Sequence, residues 1–329
     1  MTRVRIPVRA FSKMEAEEKK QETEQEPEKA EQKQEIKTRK SFSQWYNKNY
    51  KFLLIIPIIL LVLSLGYLFY FFSQNNDIIK RDISLTGGTS VTINNPTDIQ
   101  ALKEALSDKL EDFSVREISD LRTAEQIAFV VQTTEDVETT KTVLQDYLGY
   151  EITEENSSVE FTGSALSSAF YSQLRLAIIL AFIFMAIVVF IIFRTFIPSL
   201  AVVLSAFADI TMTLALVDFL GWRISSAGIV AFLMLIGYSV DTDIMLTSRL
   251  VKRREGGLNS RMFSAFKTGL TMTLTSIAAV IVALIITAGF SDTLRQIFSI
   301  LAIGLGFDIL NTWLTNATIL KWYMEKKNG

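Results

Sequence analysis

The sequence predicts a polytopic α-helical membrane protein with six transmembrane helices and one small extracytoplasmic α+β domain, ferredoxin-like in its βαββαβ order. Three observations give that class. Six apolar runs are each long enough to cross about 30 Å of hydrocarbon at about 1.5 Å per residue. Hydrophobic residues make up 49% of the 329, too many over long runs for a water-soluble domain. Between the first and second runs, residues 75–165 change to the short alternating texture of strands and amphipathic helices.

Composition narrows the chemistry. A formal net charge of −2 marks no nucleic-acid binder, and the informative basic residues are those beside the membrane segments. With no Cys, disulfides and thiolate metal sites are excluded. With no His, any proton moved near neutral pH must travel on carboxylates. No phosphate-binding glycine loop, metal-ligand cluster or nucleophile with a His base stands in the chain, so it reads as no enzyme, with no cofactor and no metal.

Residues 1–44 are rich in Glu, Lys and Gln, carry Pro7 and Pro27, and have almost no apolar residue after Phe11. Such a segment buries too little surface to offset its ordering entropy and is expected to be a disordered cytoplasmic arm. The first apolar run comes too late, and lacks the small-residue site after it, for a cleaved signal; it is expected to stay as span 51–72. Trp45, Tyr46 and Tyr50 before it, and Tyr67 and Tyr70 towards its end, are interfacial aromatics, and Pro57 is a site for a kink.

In the domain 75–165, apolar residues alternate from Ile83 to Ile93 around Thr86, Gly87, Gly88 and Thr89. This predicts a strand interrupted by a glycine pair, with a bulge or positive φ as the simplest use of the glycines and substrate contact as the other. Pro96, Thr97 and Asp98 open a helix through Leu110, capped by Thr97 or Asp98. Val115 to Ile118 and Ile127 to Val131 read as strands, Glu135 to Leu148 as a second helix, and Ser158 to Phe161 as the last strand. The order is that of an antiparallel sheet with two helices on one face.

Five more spans follow, at 171–193, 198–220, 225–248, 263–289 and 296–323. Arg249, Lys252, Arg253, Arg254, Arg261 and Lys267 crowd the connection between spans 4 and 5, and Lys321, Lys326 and Lys327 close span 6. The opposite side shows Arg223 and Arg295. The positive-inside rule therefore predicts a multi-pass protein of the cell membrane, with both termini cytoplasmic and the domain outside.

The stretch from Ala227 to Arg254 organises the rest, because it carries Asp241 and Asp243 inside span 4. An ionised Asp in hydrocarbon costs on the order of 3 kcal/mol, so each needs a reason. They lie about 200° apart around a helix and cannot both face one partner. Asp241 shares a face with Gly237 and Tyr238, where the missing side chain admits a neighbouring helix, and it is taken as the buried carboxylate and first proton-relay candidate. Asp243 is a second relay candidate, or a partly hydrated residue or ion-pair partner near Arg249. Asp209 in span 3 and Asp308 in span 6 are further candidates, with glue between helices as the other reading of Asp308. Lys267 is either a snorkelling cation at the membrane edge or a countercharge to an intramembrane Asp. Thr268, Thr271 and Thr275 share one face of span 5, most simply as packing hydroxyls bonded to their own backbone.

Four features together resemble the SecD/SecF family of protein-export membrane proteins, in its SecF branch, within the resistance-nodulation-division superfamily. These are the Leu85, Thr86, Gly87, Gly88, Thr89 segment, similar to the family's F-T-G-G-T; the one-plus-five layout of spans; Gly237, Tyr238 and Ser239 in span 4; and Lys267 and Thr268 at the start of span 5. Bacterial members read G-Y-S-x-N-D-T where this chain continues Val240, Asp241, Thr242, Asp243, and they place an Arg at the position of Lys267. With Asn311, Thr312, Trp313 and Leu314 in span 6, the sequence looks like the archaeal branch, which lacks the bacterial ATP-driven export motor. The resemblance implies a SecD-like partner in a twelve-span pseudo-twofold assembly, a SecYEG-type channel, a translocating polypeptide and energy from the proton gradient. Two rivals remain: an exporter of lipids or hydrophobic compounds, against which stands the single modest external domain, and a non-conducting scaffold of the channel.

Overall fold

The computed structural model describes residues 49–110, 112–119, 123, 125–252, 257–287 and 291–328. The expected arm at 1–44, the aromatics Trp45 and Tyr46, the basic pair Arg253 and Arg254, and the expected end of span 5 at 288–289 lie outside them. Residues 49–52 are helical.

Among the described residues, six helices have the length and composition to cross a membrane: Asn49–Asn75, Ser164–Phe193, Phe196–Phe219, Ser226–Val251, Leu258–Thr287 and Asp292–Lys327, called spans 1 to 6. The chain is a multi-pass membrane protein. Span 6 packs against spans 3, 4 and 5, and spans 3, 4 and 6 are the helices most buried by the rest of the chain. Spans 1, 2 and 5 keep most of their apolar surface exposed, as helices facing lipid do.

Local chemistry sets the turns. Arg194 closes span 2 in the left-handed region, at φ 52°. Pro198 then falls in the first turn of span 3, where its missing N–H removes no helical bond. Ser225 and Ser291 cap spans 4 and 6, their hydroxyls accepting from the N–H of Gly228 and Leu294. Span 2 begins at Ser164, seven residues before the expected start, because its polar first turns continue as helix and bury Ser167 and Tyr171. Span 6 is α-helical to Asn311, π-wound over Thr312–Asn316, and α-helical again from Ala317.

The domain between spans 1 and 2 is a four-stranded antiparallel sheet in the order β2-β3-β1-β4, with β1 Gly88–Ile93, β2 Phe113–Ser119, β3 Gln126–Thr133 and β4 Ser157–Thr162. Helices Ile99–Ser107 and Val137–Leu148 are capped by Asp98 and Asp136, whose carboxylates accept from the first-turn N–H groups. Leu102, Leu106 and Leu144 pack on Val91, Phe129 and Val131, which makes the ferredoxin-like core.

The segment before the glycine pair departs from the expected strand, while the positive φ expected of the pair is present. Ile83–Thr86 is a single helical turn, and the strand begins only at Gly88. Gly87 and Gly88 have φ of 84° and 137°, and a Cβ on them would lie 2.5 Å from Ser164 Cα and 2.1 Å from the Thr133 carbonyl oxygen. Close backbone approach, not a bulge, is what the glycines serve. Thr86 donates to the Asp82 carbonyl at 3.3 Å, and Thr89 to that of Glu135 at 2.7 Å.

Several bonds seat the domain on the helices. The Asp82 N–H donates to Ile224 O at 3.0 Å and the Ile224 N–H to Lys80 O at 2.7 Å, joining the segment after span 1 to the turn before span 4. Asp218 accepts from Tyr67 in span 1 and from the N–H of Lys80. Arg116 on β2 lies 3.4 Å from Asp82 and 3.5 Å from Asp292 at the start of span 6, and Arg223 pairs with Asp112.

Burial pushes the Asp82 carboxyl above the usual aspartate range, and the Arg116 guanidinium pulls it part of the way back. Its contribution to stability is therefore full below the unfolded-state value and lost as pH rises through the raised folded one. NMR titration of the carboxyl carbons should place Asp82 above an exposed aspartate, and Arg116→Gln should raise it further. Gly88→Ala should lower the thermal midpoint of the purified chain far more than Gly163→Ala, where a Cβ meets nothing within 4 Å.

A buried carboxylate cluster between spans 3, 4 and 6

Three carboxylates meet inside the bundle: Asp209 of span 3, Asp243 of span 4 and Asp308 of span 6, each with no exposed surface. Small residues bring their helices close. A Cβ on Gly304 would lie 2.2 Å from Leu235 Cδ2, so only glycine lets span 6 approach span 4 there. Ser205 and Ala208, both buried, do the same on span 3.

Each carboxylate is met by neutral donors. Asp209 Oδ2 accepts from the Ser239 hydroxyl at 2.5 Å, and Oδ1 from Asn311 Nδ2 at 2.7 Å. Asp243 Oδ1 accepts from Asn316 Nδ2 at 2.8 Å and lies 2.9 Å from Thr312 Oγ1. The same Thr312 oxygen lies 3.1 Å from Asp308 Oδ1, while Thr273 of span 5 donates to Asp308 Oδ2 at 3.5 Å. Thr312 and Asn316 bound the π-wound stretch, and both reach one oxygen of Asp243. Irregular winding of this kind concentrates at functional positions in helices.

Thr312 sets a condition on its neighbours. Its hydroxyl has one hydrogen and faces two carboxylate oxygens, so it donates to one and accepts from the other only if that second carboxyl carries a hydrogen of its own. Asp243 Oδ2 and Asn316 Oδ1 are buried without a hydrogen bond of good geometry among the described residues, and the Ser205 hydroxyl of span 3 stands beside Asp243. Among the described residues the acidic side chains do not converge as a metal-holding group.

The burial expected for Asp241 is corrected. Asp241 is exposed, on a stripe with Gly237 and Tyr238, and Asp243 is the buried member of the pair. The glycine stripe does mark a face open to close approach, but that face is exposed, and Asp241 on it opens beside Met272 of span 5. Ser239 shares the inward face and bonds Asp209. Arg249 bonds Ser264 and Thr268 on span 5 and forms no ion pair with Asp243. Lys267 is exposed and makes no ion pair with any of the four Asp among the described residues. Thr268, Thr271 and Thr275 are exposed and bond backbone carbonyls of their own helix, while Thr273 is the buried span 5 hydroxyl that reaches the cluster.

The sequence reading missed Thr273, the bonding roles of Asn311 and Thr312, and Asn316. The signal was present: Ser239, Asp243 and Thr247 recur every four residues, the spacing of one helical face. Asp308, Asn311, Thr312, Thr315 and Asn316 crowd polar groups into the middle of span 6.

Residues 142–326, which include all three buried carboxylates, match the family model described as protein export membrane protein SecD/SecF, C-terminal. The protein-export membrane protein SecF of Methanocaldococcus jannaschii is 41% identical over 286 residues, 85% of this chain and 97% of that one. The chain belongs to the SecD/SecF family. A further SecD/SecF relative, SecF of Methanothermobacter thermautotrophicus, is 36% identical over 291 residues, 85% of this chain and 95% of its own. The crystal structure of SecDF from Thermus thermophilus, a translocon-associated membrane protein, shares the fold with a TM-score of 0.65 at 16% identity. That likeness covers 86% of this SecD/SecF chain and 38% of the solved one.

Asp209→Ala should orphan the Ser239 and Asn311 donors and destabilise the purified chain by about 1–3 kcal/mol. Asp241→Ala should stay within about 0.5 kcal/mol. Denaturation in detergent micelles measures both.

Proposed function

We propose that this chain is the SecF-like subunit of a membrane complex for protein export, paired with a SecD-like subunit, and that it couples export to proton entry through Asp243, Thr312 and Asp308. The observation that carries the coupling is the single Thr312 hydroxyl between two carboxylate oxygens. A proton leaves Asp308 for the Thr312 oxygen as the Thr312 hydrogen passes to Asp243, so the pair exchanges one charge with no net change at the hydroxyl. Asp209 sits beside the route, held by Ser239 and Asn311. Each proton falling through the membrane potential supplies about 2.3 kcal/mol per 100 mV.

Protonation weakens or strengthens the bonds that hold spans 4 and 6 together, and both lead directly to the sheet domain. Span 6 begins at Asp292, which Arg116 of β2 holds, and span 4 follows Ile224, which is bonded to Lys80 and Asp82. A shift between these spans therefore moves the domain, which lies outside the cell in the orientation favoured by the basic residues between spans 4 and 5. The domain there acts on a polypeptide emerging from a SecYEG-type channel. Asp241 on an exposed membrane face is costly against lipid, which favours a protein neighbour on the Gly237, Tyr238, Asp241 stripe. Lys267, also exposed, stays a candidate countercharge for such an interface. A scaffold without transport has no use for three buried carboxylates.

Vesicles holding this chain with a SecD-like subunit and a SecYEG-type channel test the proposal. Asp243→Asn and Thr312→Val should each lower proton-driven export about tenfold or more, and Thr312→Ser should retain it. Wild-type export by Asp243→Asn would refute the coupling.

A further inference from the structure

We infer that the groove between the sheet-side ends of spans 2, 3 and 4 binds an anionic phospholipid, its chain in the groove and its phosphate on Arg175. The groove holds about 480 Å³, within the range of ordinary ligand sites. Its walls include Ile178, Phe182, Phe207, Leu214 and Phe232, and Arg175 stands on its rim beside Tyr171.

The length of span 2 sets the depth of Arg175. Thirty residues reach about 45 Å, whereas the hydrocarbon takes about 30 Å, or about 20 residues. Counted back from Phe193, where the turn to span 3 marks the far interface, about 20 residues end at Leu174. Arg175 therefore stands where hydrocarbon gives way to headgroups, the level of lipid phosphates.

The charges around it do not balance. Arg175 and Arg81 lie 5.0 and 5.2 Å from the Tyr171 ring. One carboxylate serves this group: Asp77 is paired with Arg81 at 2.9 Å and accepts from the Tyr171 hydroxyl at 2.8 Å. Arg175 is exposed and, among the described residues, has no carboxylate partner. Water satisfies the guanidinium but does not fill an apolar groove. A zwitterionic lipid fills the groove but its own ammonium offsets the phosphate it offers Arg175, and a free anion meets the cation but leaves the groove. An amphiphile with an anionic head serves both, by charge and by shape.

Native mass spectrometry of the full-length chain, released from discs of equal phosphatidylglycerol and phosphatidylcholine, reads the preference. Wild type should retain phosphatidylglycerol by about fivefold, as a partly exposed ion pair allows. Arg175→Gln should remove the preference, Arg175→Lys should keep most of it, and Leu214→Trp should lower retention with the cation in place. Millimolar inorganic phosphate should leave the lipid bound. Equal retention of both lipids, an unchanged preference in Arg175→Gln, or displacement by inorganic phosphate alone each overturns the assignment.

Discussion

A carboxylate placed among packed helices must be given hydrogen-bond donors from those helices, and three such groups in one bundle leave little freedom for anything else. Ser239, Thr273, Asn311, Thr312 and Asn316 supply the donors from spans 4, 5 and 6. To reach their acceptors the helices must approach closely, which is why glycine stands at 304 and small side chains at 205 and 208. The local winding of span 6 obeys the same demand, with Thr312 and Asn316 at the two ends of its π turn. Among the described residues, one oxygen each of Asp243 and Asn316 and the hydroxyls of Ser205 and Thr247 on spans 3 and 4 lack a hydrogen bond of good geometry. Stability is given up where the chemistry is concentrated.

The sheet domain is tied to these helices and not merely linked to span 1. Its attachments fall on the first residues of span 6 and on the turn into span 4, through Arg116, Asp82 and Ile224. The pair Gly87 and Gly88 sets the first strand against both the start of span 2 and the end of β3. The family motif in this segment therefore has a mechanical reason: it is the joint that lets the domain rest on the bundle. The proposed coupling has the domain follow relative movement of spans 4 and 6 through these contacts.

The spans and the sheet were legible because each follows from a short-range rule. Long apolar runs need hydrocarbon, Asp98 precedes a helix as its cap, and the short apolar run Ile127 to Val131 between polar residues reads as a strand. The misreadings share one cause, which is that they depend on what a segment meets in space. Ile83 to Thr86 alternates as a strand does, yet turns as a helix because Gly87 must pass the backbone of Ser164. Asp241 and Asp243 present the same problem on span 4. A glycine beside Asp241 promises a close neighbour, but nothing local tells whether that neighbour belongs to this chain. The every-fourth-residue line of Ser239, Asp243 and Thr247 held the better clue, since three polar groups on one face of a span need an interior.

The proposed coupling needs one hydroxyl shared by two carboxyl groups, with a hydrogen on one of them. Infrared difference spectroscopy of the reconstituted chain at neutral pH, in light and heavy water, observes that hydrogen directly. A protonated-carboxyl band is predicted in the wild type, shifted by Thr312→Val and diminished when Asp243 and Asp308 are both replaced by Asn. A spectrum with ionised carboxylates only, or a band indifferent to these substitutions, would contradict it.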